Sequence, residues 1–194
     1  MRRVCVFAGS SLGGRPDYAA AARDLGRTLG ARGVGLVYGG GCIGLMGVLA
    51  DSVLAASGEV IGVIPRMLAT KEVAHQGLAD LRIVASMHER KAVMAELADG
   101  FIALPGGFGT LEELFEMITW AQLGLHAKAV GLLDVGGYFA ALLALIEHAV
   151  AEGFVGPENR ELLVVASEGG LLLDRMRAYA PPRGLRRWIG PEET

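Results

Sequence analysis

Two cysteines, four scattered histidines and the lack of any long apolar run exclude several classes of protein at once. Cys5 sits in an apolar stretch and Cys42 in a glycine loop. Neither has ligand spacing to another Cys or His, so no structural disulfide and no metal site is expected. His75, His88, His126 and His148 make no HxxxH or HExxH pattern. No apolar run is long enough to span a bilayer. The opening Met1–Gly9 stretch starts basic. A Gly-Ser turn then ends an apolar run of only about six residues, which suits a buried strand rather than an export signal. A cytoplasmic protein without membrane contact is expected. The net charge of -3 and pI near 5.8 give no general attraction to nucleic acid. Internal repeats and low-complexity linkers are absent too.

What is abundant is apolar residues and glycine. Hydrophobic residues make up 52% of the 194, and the mean hydropathy is +0.42, so one domain with an extensive core is expected. That domain is placed at 1–180. The basic tail 181–194, with Arg183, Arg186 and Arg187, reads as a solvated terminus. Short β-rich runs alternate with longer helical ones. Strands are expected at Arg3–Ala8, Gly35–Tyr38, Val60–Ile64, Arg82–Ala85, Phe101–Leu104, Val130–Leu133 and Leu162–Val165. Helices are expected near 16–30, 42–57, 87–98, 110–124, 137–152 and 168–178. Several strands are apolar on both faces, as in a parallel sheet covered on each side. The alternation predicts a single-domain, doubly wound α/β sheet of about seven strands, Rossmann-like. The 29 glycines concentrate at strand ends, where the chain turns sharply or meets a ligand.

One stretch carries most of the chemistry: Leu104-Pro105-Gly106-Gly107-Phe108-Gly109-Thr110-Leu111-Glu112-Glu113. It follows an apolar run and precedes an amphipathic one, so it reads as strand, glycine turn, helix. Backbone N–H groups at such a turn, with the helix dipole behind them, bind anions and above all phosphate. Gly106, Gly107, Gly109 and Thr110 are therefore candidate phosphate contacts; the bland alternative is a tight turn capped by Thr110. Glu112 and Glu113 are expected in the first helical turn, beside the anion. No Gly-Lys-Ser/Thr follows, so this is not a Walker A loop, and Gly9-Ser10-Ser11-Leu12-Gly13-Gly14 lacks dinucleotide-fingerprint spacing. Ser10, Gly40, Met87 and Lys91 lie on other segments that follow strands, so they join the candidate substrate contacts. Arg90 and Lys91 fall early in a helix, where cations oppose the dipole. Two solvated side chains near Glu89 would explain Lys91, but explain a guanidinium in a site-facing loop less well. Glu116 and Trp120 fall toward the face of Glu113, with ordinary helix-surface and core roles as the alternatives. Pro65–Asp80, with Lys71, Glu72 and His75, is either a flap over the site or an exposed loop.

Three segments together resemble the LOG ("lonely guy") family. Pro105 to Glu113 matches its PGGxGTxxE motif, Gly39 to Gly47 its GGGxxGLMG segment, and Met87 to Lys91 its MxxRK segment, in the family's order. The resemblance implies a nucleoside 5′-monophosphate phosphoribohydrolase acting on cytokinin ribotides, with AMP as a lesser substrate. It implies that Arg90 and Glu113 are catalytic, that no cofactor or metal is needed, and that the protein is a homodimer or larger. In such chemistry positive charge builds at C1′ of the sugar, so a carboxylate at Glu113 would stabilise it, orient the ribose or activate water. Arg90 would either stabilise the departing base or position the carboxylate or sugar. A second reading is a non-catalytic carrier related to the molybdenum-cofactor carriers, which would not need the Arg90/Glu113 pair. A third is the family's older decarboxylase label. It requires a Schiff-base lysine, and the three lysines, Lys71, Lys91 and Lys128, sit in no such motif.

Overall fold

The computed structural model describes residues 1–70 and 73–182. Lys71, Glu72 and the tail arginines Arg183, Arg186 and Arg187 lie outside the described residues. The strands are β1 (Arg3–Phe7), β2 (Gly35–Tyr38), β3 (Val60–Pro65), β4 (Asp80–Val84), β5 (Gly100–Ala103), β6 (Ala129–Leu133) and β7 (Leu163–Ala166). The helices are α1 (Pro16–Ala31), α2 (Gly44–Ala55), α3 (Met87–Leu97), α4 (Phe108–Leu123), α5 (Ala140–Ala151), the single turn α6 (Pro157–Arg160) and α7 (Gly169–Arg177). Among the described residues the strands form one parallel sheet in the order β4-β3-β2-β1-β5-β6-β7. This is the expected doubly wound α/β architecture. No described helix is long and apolar enough to cross a membrane.

Strand alternation divides the core in two. Val4, Val6 and Ala8 pack with α1, α2 and α7 on one face, while Cys5 and Phe7 pack with α3, α4 and α5 on the other. From Val4 to Phe7, β1 is therefore buried on both faces, as its apolar run demands.

Helix boundaries follow local chemistry. Pro16 opens α1, where its missing N–H costs nothing. Ser86 caps α3, its hydroxyl accepting from Glu89 N at 3.1 Å, while Glu89 Oε2 accepts from Ala85 N at 2.7 Å. This is a capping-box arrangement. Gly124, at φ 88°, ends α4 in the left-handed region.

Three boundaries differ from expectation in ways that affect the site. Helix α4 starts at Phe108 with Gly107 as its N-cap, so Thr110 is not the cap and Glu112 and Glu113 fall in the second turn. Helix α2 starts at Gly44 rather than 42, because Gly44 adopts φ +60° to bring Leu45 N to Gly9 O at 2.9 Å. Helix α5 starts at Ala140 because Gly136 and Gly137 both have positive φ, and Asp134 Oδ1 accepts from Phe139 N at 2.8 Å.

A Cβ at Gly44 would lie 2.2 Å from Ser10 C and 2.4 Å from Ser11 N. Both are backbone atoms, and the φ is itself unfavourable for an L side chain. Gly44→Ala should therefore lose about 2 kcal/mol or more of unfolding free energy in urea titration. An unchanged midpoint would show that this contact is not tight.

Candidate active site

The chain winds from β1 outward to β4, then crosses back to β5 on the other side of β1. The carboxyl ends of β1 and β5 thus form the switch point where open α/β sheets bind ligands. The two loops touch there: Gly9 N donates to Pro105 O at 3.1 Å, and a Cβ on Gly9 would sit 3.2 Å from Gly106 Cα. Beside them opens a cavity of about 420 Å³.

One wall of the cavity is the start of α4. Gly107, Phe108, Gly109 and Thr110 line it, facing Ser10 from the first loop. The glycines here separate packing from binding. At Gly106 a Cβ would fall 2.1 Å from Thr110 Oγ1, so glycine is required by the fold. At Gly107 and Gly109 a Cβ would meet nothing within 4 Å, and neither has positive φ. Packing explains Gly106, while at Gly107 and Gly109 the backbone borders open space on the cavity wall.

At the base of the cavity lie Arg90 from α3 and Glu113 from α4. Their side chains are only 11% and 10% exposed, and Arg90 Nη1 is 3.3 Å from Glu113 Oε1. The guanidinium reaches this place through Gly39, where a Cβ would lie 1.9 Å from Nη2. Arg90 Nε donates to Val63 O at 3.2 Å, and Nη1 contacts Met87 Sδ at 3.9 Å. Arg90 is therefore buried and fixed, not solvated. The Glu113 carboxyl is pushed up to about 7, chiefly by burial and further by Glu112 and Glu116, against the pull of Arg90 and Lys91.

The remaining wall is apolar, with Ile43, Met46, Ile64, Leu68 and Val73. The last two come from the segment after β3. Val73 O accepts from Cys42 N at 2.8 Å, His75 N donates to Gly40 O at 2.9 Å, and Gly41 bridges Ala74. His75 Nε2 lies 3.0 Å from Asp51 Oδ1, and His75 Nδ1 accepts from Gly77 N at 3.2 Å. The described part of this segment is thus a strap tied to the second glycine loop.

The structure brings Ser10, Arg90, Gly107, Gly109, Thr110 and Glu113 onto the cavity. Gly40, Met87, Lys91 and Gly106 do not line it. Gly40 turns at φ +72° against Ile64 and Leu81. Met87 backs Arg90. The Lys91 ammonium lies between Glu112, which it contacts, and Glu116 at 3.1 Å. Burial works against that ammonium, but the two carboxylates prevail and raise its pKa above the ordinary lysine value. Leu68, Val73 and Ile64 escaped the sequence reading because apolar residues carry no signature of the surface they face. Tyr138 escaped it as well. Its hydroxyl donates to Gly106 O, and it borders a neighbouring pocket of about 260 Å³ with Tyr18. Among the described residues no group of His, Cys, Asp and Glu could hold a metal ion.

Comparison with known proteins bears on this geometry. A family model described as "Possible lysine decarboxylase" matches residues 46–176. The chain is 55% identical over 180 residues to the "Probable cytokinin riboside 5′-monophosphate phosphoribohydrolase LOGL9" of Oryza sativa subsp. japonica, covering 93% of this chain and 79% of that one. It is 52% identical to the "Cytokinin riboside 5′-monophosphate phosphoribohydrolase LOG3" of Arabidopsis thaliana, covering 93% and 84%. The chain belongs to the LOG family.

Among solved structures, the molybdenum cofactor binding protein from Rippkaea orientalis superposes with a TM-score of 0.68 at 20% identity, covering 91% of this chain and 95% of that one. The molybdenum cofactor carrier protein of Chlamydomonas reinhardtii gives 0.67 at 20%, covering 91% and 98%. At that identity the likeness is one of fold. The LOG-family match from 46 onward includes α3, β5 and α4, hence both Arg90 and Glu113, whereas Ser10 and Gly39 lie before it.

Selective ¹³C labelling of glutamate carboxyls should reveal one group, absent in Glu113→Gln, that titrates near pH 7. A Glu113 signal titrating near pH 4.5 would show that burial does not govern this carboxyl.

Proposed function

We propose that this LOG-family chain hydrolyses the N-glycosidic bond of a nucleoside 5′-monophosphate, releasing the free base and ribose 5-phosphate. The observation that carries the reading is the buried Arg90–Glu113 pair at the base of a cavity whose rim is the bare start of α4. The phosphate sits on the N–H groups of Gly107 to Thr110, within reach of Ser10, and anchors the sugar. Glu113 lies under the ribose. As the C1′–N bond breaks, positive charge grows at C1′ and the ionised carboxylate stabilises it or takes a proton from the attacking water. Water supplies hydroxide to C1′ and a proton to the departing base. Arg90 holds the Glu113 charge in place in a site that burial would otherwise neutralise. The apolar wall formed by Ile43, Met46, Ile64, Leu68 and Val73 suits a base with a hydrophobic substituent, as in the cytokinin ribotides named for the relatives. The chemistry uses no cofactor.

The other activities fit the residues less well. Lys91 is enclosed by carboxylates, and Lys128 Nζ donates to Ala95 O at 2.7 Å, so neither stands ready as a Schiff-base amine on the cavity. A carrier would have no need of an ion pair buried where a sugar would lie.

Incubation with AMP and with isopentenyladenosine monophosphate should yield free base, and the absence of base from both would refute the reading. Glu113→Gln should lower kcat by about 10²–10³ while changing substrate binding little. The wild-type rate should rise with pH through about 7 and level above it, because the ionised form of Glu113 acts.

We also propose a homodimer or larger assembly. Helix α5 is apolar along most of its length yet has no buried residue, and Phe154 just beyond it is 87% exposed. Phe115 and Leu125 add exposed apolar surface on and after α4. Light scattering should give at least twice the chain mass of 20.3 kDa at micromolar concentration. A monomer with full activity would refute the assembly.

A further inference from the structure

Lys91 follows the buried arginine and has a side chain only 7% exposed, yet it stands outside the cavity. Its two carboxylate partners belong to the neighbouring helix. Glu112 and Glu116 lie four residues apart on α4 and bracket Glu113. One oxygen of Glu116, Oε2, is buried with no hydrogen-bond partner among the described residues, while Oε1 lies 3.1 Å from the Lys91 ammonium, which compensates the carboxylate. Helix α3 rests on β1 to β4, while α4 rests on β1, β5 and β6. β1 supports both helices, and the ion pairs of Lys91 and Arg90 join one helix to the other.

We propose that Lys91 is a positioning residue: its ion pairs on either side of Glu113 lock α4 against α3 in the register that sets Glu113 against Arg90, and they cancel the negative charge flanking that carboxyl. The inference rests on the reading of Glu113 as the catalytic carboxylate. The groups that face Glu113 are Arg90 and Lys91 from α3, Glu112 and Glu116 from α4, and the Cys5 thiol from β1. Two anions and two cations thus surround it. Removing the Lys91 charge leaves two anions against one cation, which favours the protonated, inactive Glu113. Lys91 thereby acts on the reaction without touching the substrate.

The test combines ¹³C-carboxyl titration of Glu113 with kinetics on AMP, for Lys91→Met, Lys91→Arg and the double variant Glu112→Gln/Glu116→Gln. Lys91→Met should raise the Glu113 midpoint by about one pH unit and lower kcat at neutral pH about tenfold, with KM within about twofold. Part of the lost rate should return at higher pH. Lys91→Arg should bring the midpoint back toward wild type, and the double variant should lower it. The titration requires no turnover. If the wild type releases no base, the functional reading fails, while the titration still decides whether Lys91 governs the charge on Glu113. An unmoved midpoint in Lys91→Met overturns the proposal; if that variant does not fold, an unmoved midpoint in the double variant does so. A loss confined to KM also overturns it, by placing Lys91 on the substrate.

Discussion

A buried guanidinium must find partners for its donors, because an unpaired charge in the interior costs several kcal/mol. Arg90 finds Val63 O, Glu113 Oε1 and the soft Met87 sulfur, and it needs a gap at Gly39 to reach them. Each partner comes from a different part of the chain. Val63 O requires β3 in register beside β2, and Gly39 must follow β2 directly. Glu113 must be one turn deeper in α4 than Gly107 to Thr110. The rest of the carboxyl edge is arranged around that demand. The pair also sets the chemistry of the cavity, since burial alone would leave Glu113 protonated at neutral pH and Arg90 opposes that tendency.

The glycines of this edge are of two kinds. Gly39, Gly44 and Gly106 are required by the protein itself, because any Cβ would collide with Arg90, the Ser10–Ser11 backbone or Thr110. Gly107 and Gly109 are not required by any described neighbour, and they are the ones on the open wall. The fold therefore uses glycine once to bring loops together and again to leave backbone donors bare. The first use builds the cavity; the second leaves on its wall the kind of open helix start that binds anions in proteins generally.

The resemblance to cofactor carriers at 20% identity shows how little the sheet alone decides. Parallel strands and a switch point supply a place for a ligand, and the side chains placed there supply the reaction. Here those side chains include the ion pair between Arg90 of α3 and Glu113 of α4. The Oryza sativa and Arabidopsis thaliana relatives, at 55% and 52% identity, are both named for a phosphoribohydrolase activity.

Periodicity and turn chemistry made the seven strands, the principal helices and the doubly wound class legible in the chain itself, because apolar strands and glycine ends are local properties. The motif spacing likewise marked Arg90, Glu113 and the Gly106–Thr110 turn. The sequence could not show which of the motif residues face the cavity. Lys91 and Arg90 are chain neighbours of the same charge, yet about 100° around a helix separates a group on the cavity from one clamped between helices. The start of α4 at Phe108, two residues earlier than expected, moved Glu113 from the helix mouth to the buried second turn. The apolar wall from Ile64, Leu68 and Val73 depended on a strap pairing with a distant glycine loop. Local sequence determined the elements and the reactive residue types; only the packed structure decided their depth and facing, because burial and side-chain direction are set by neighbours far away in the chain.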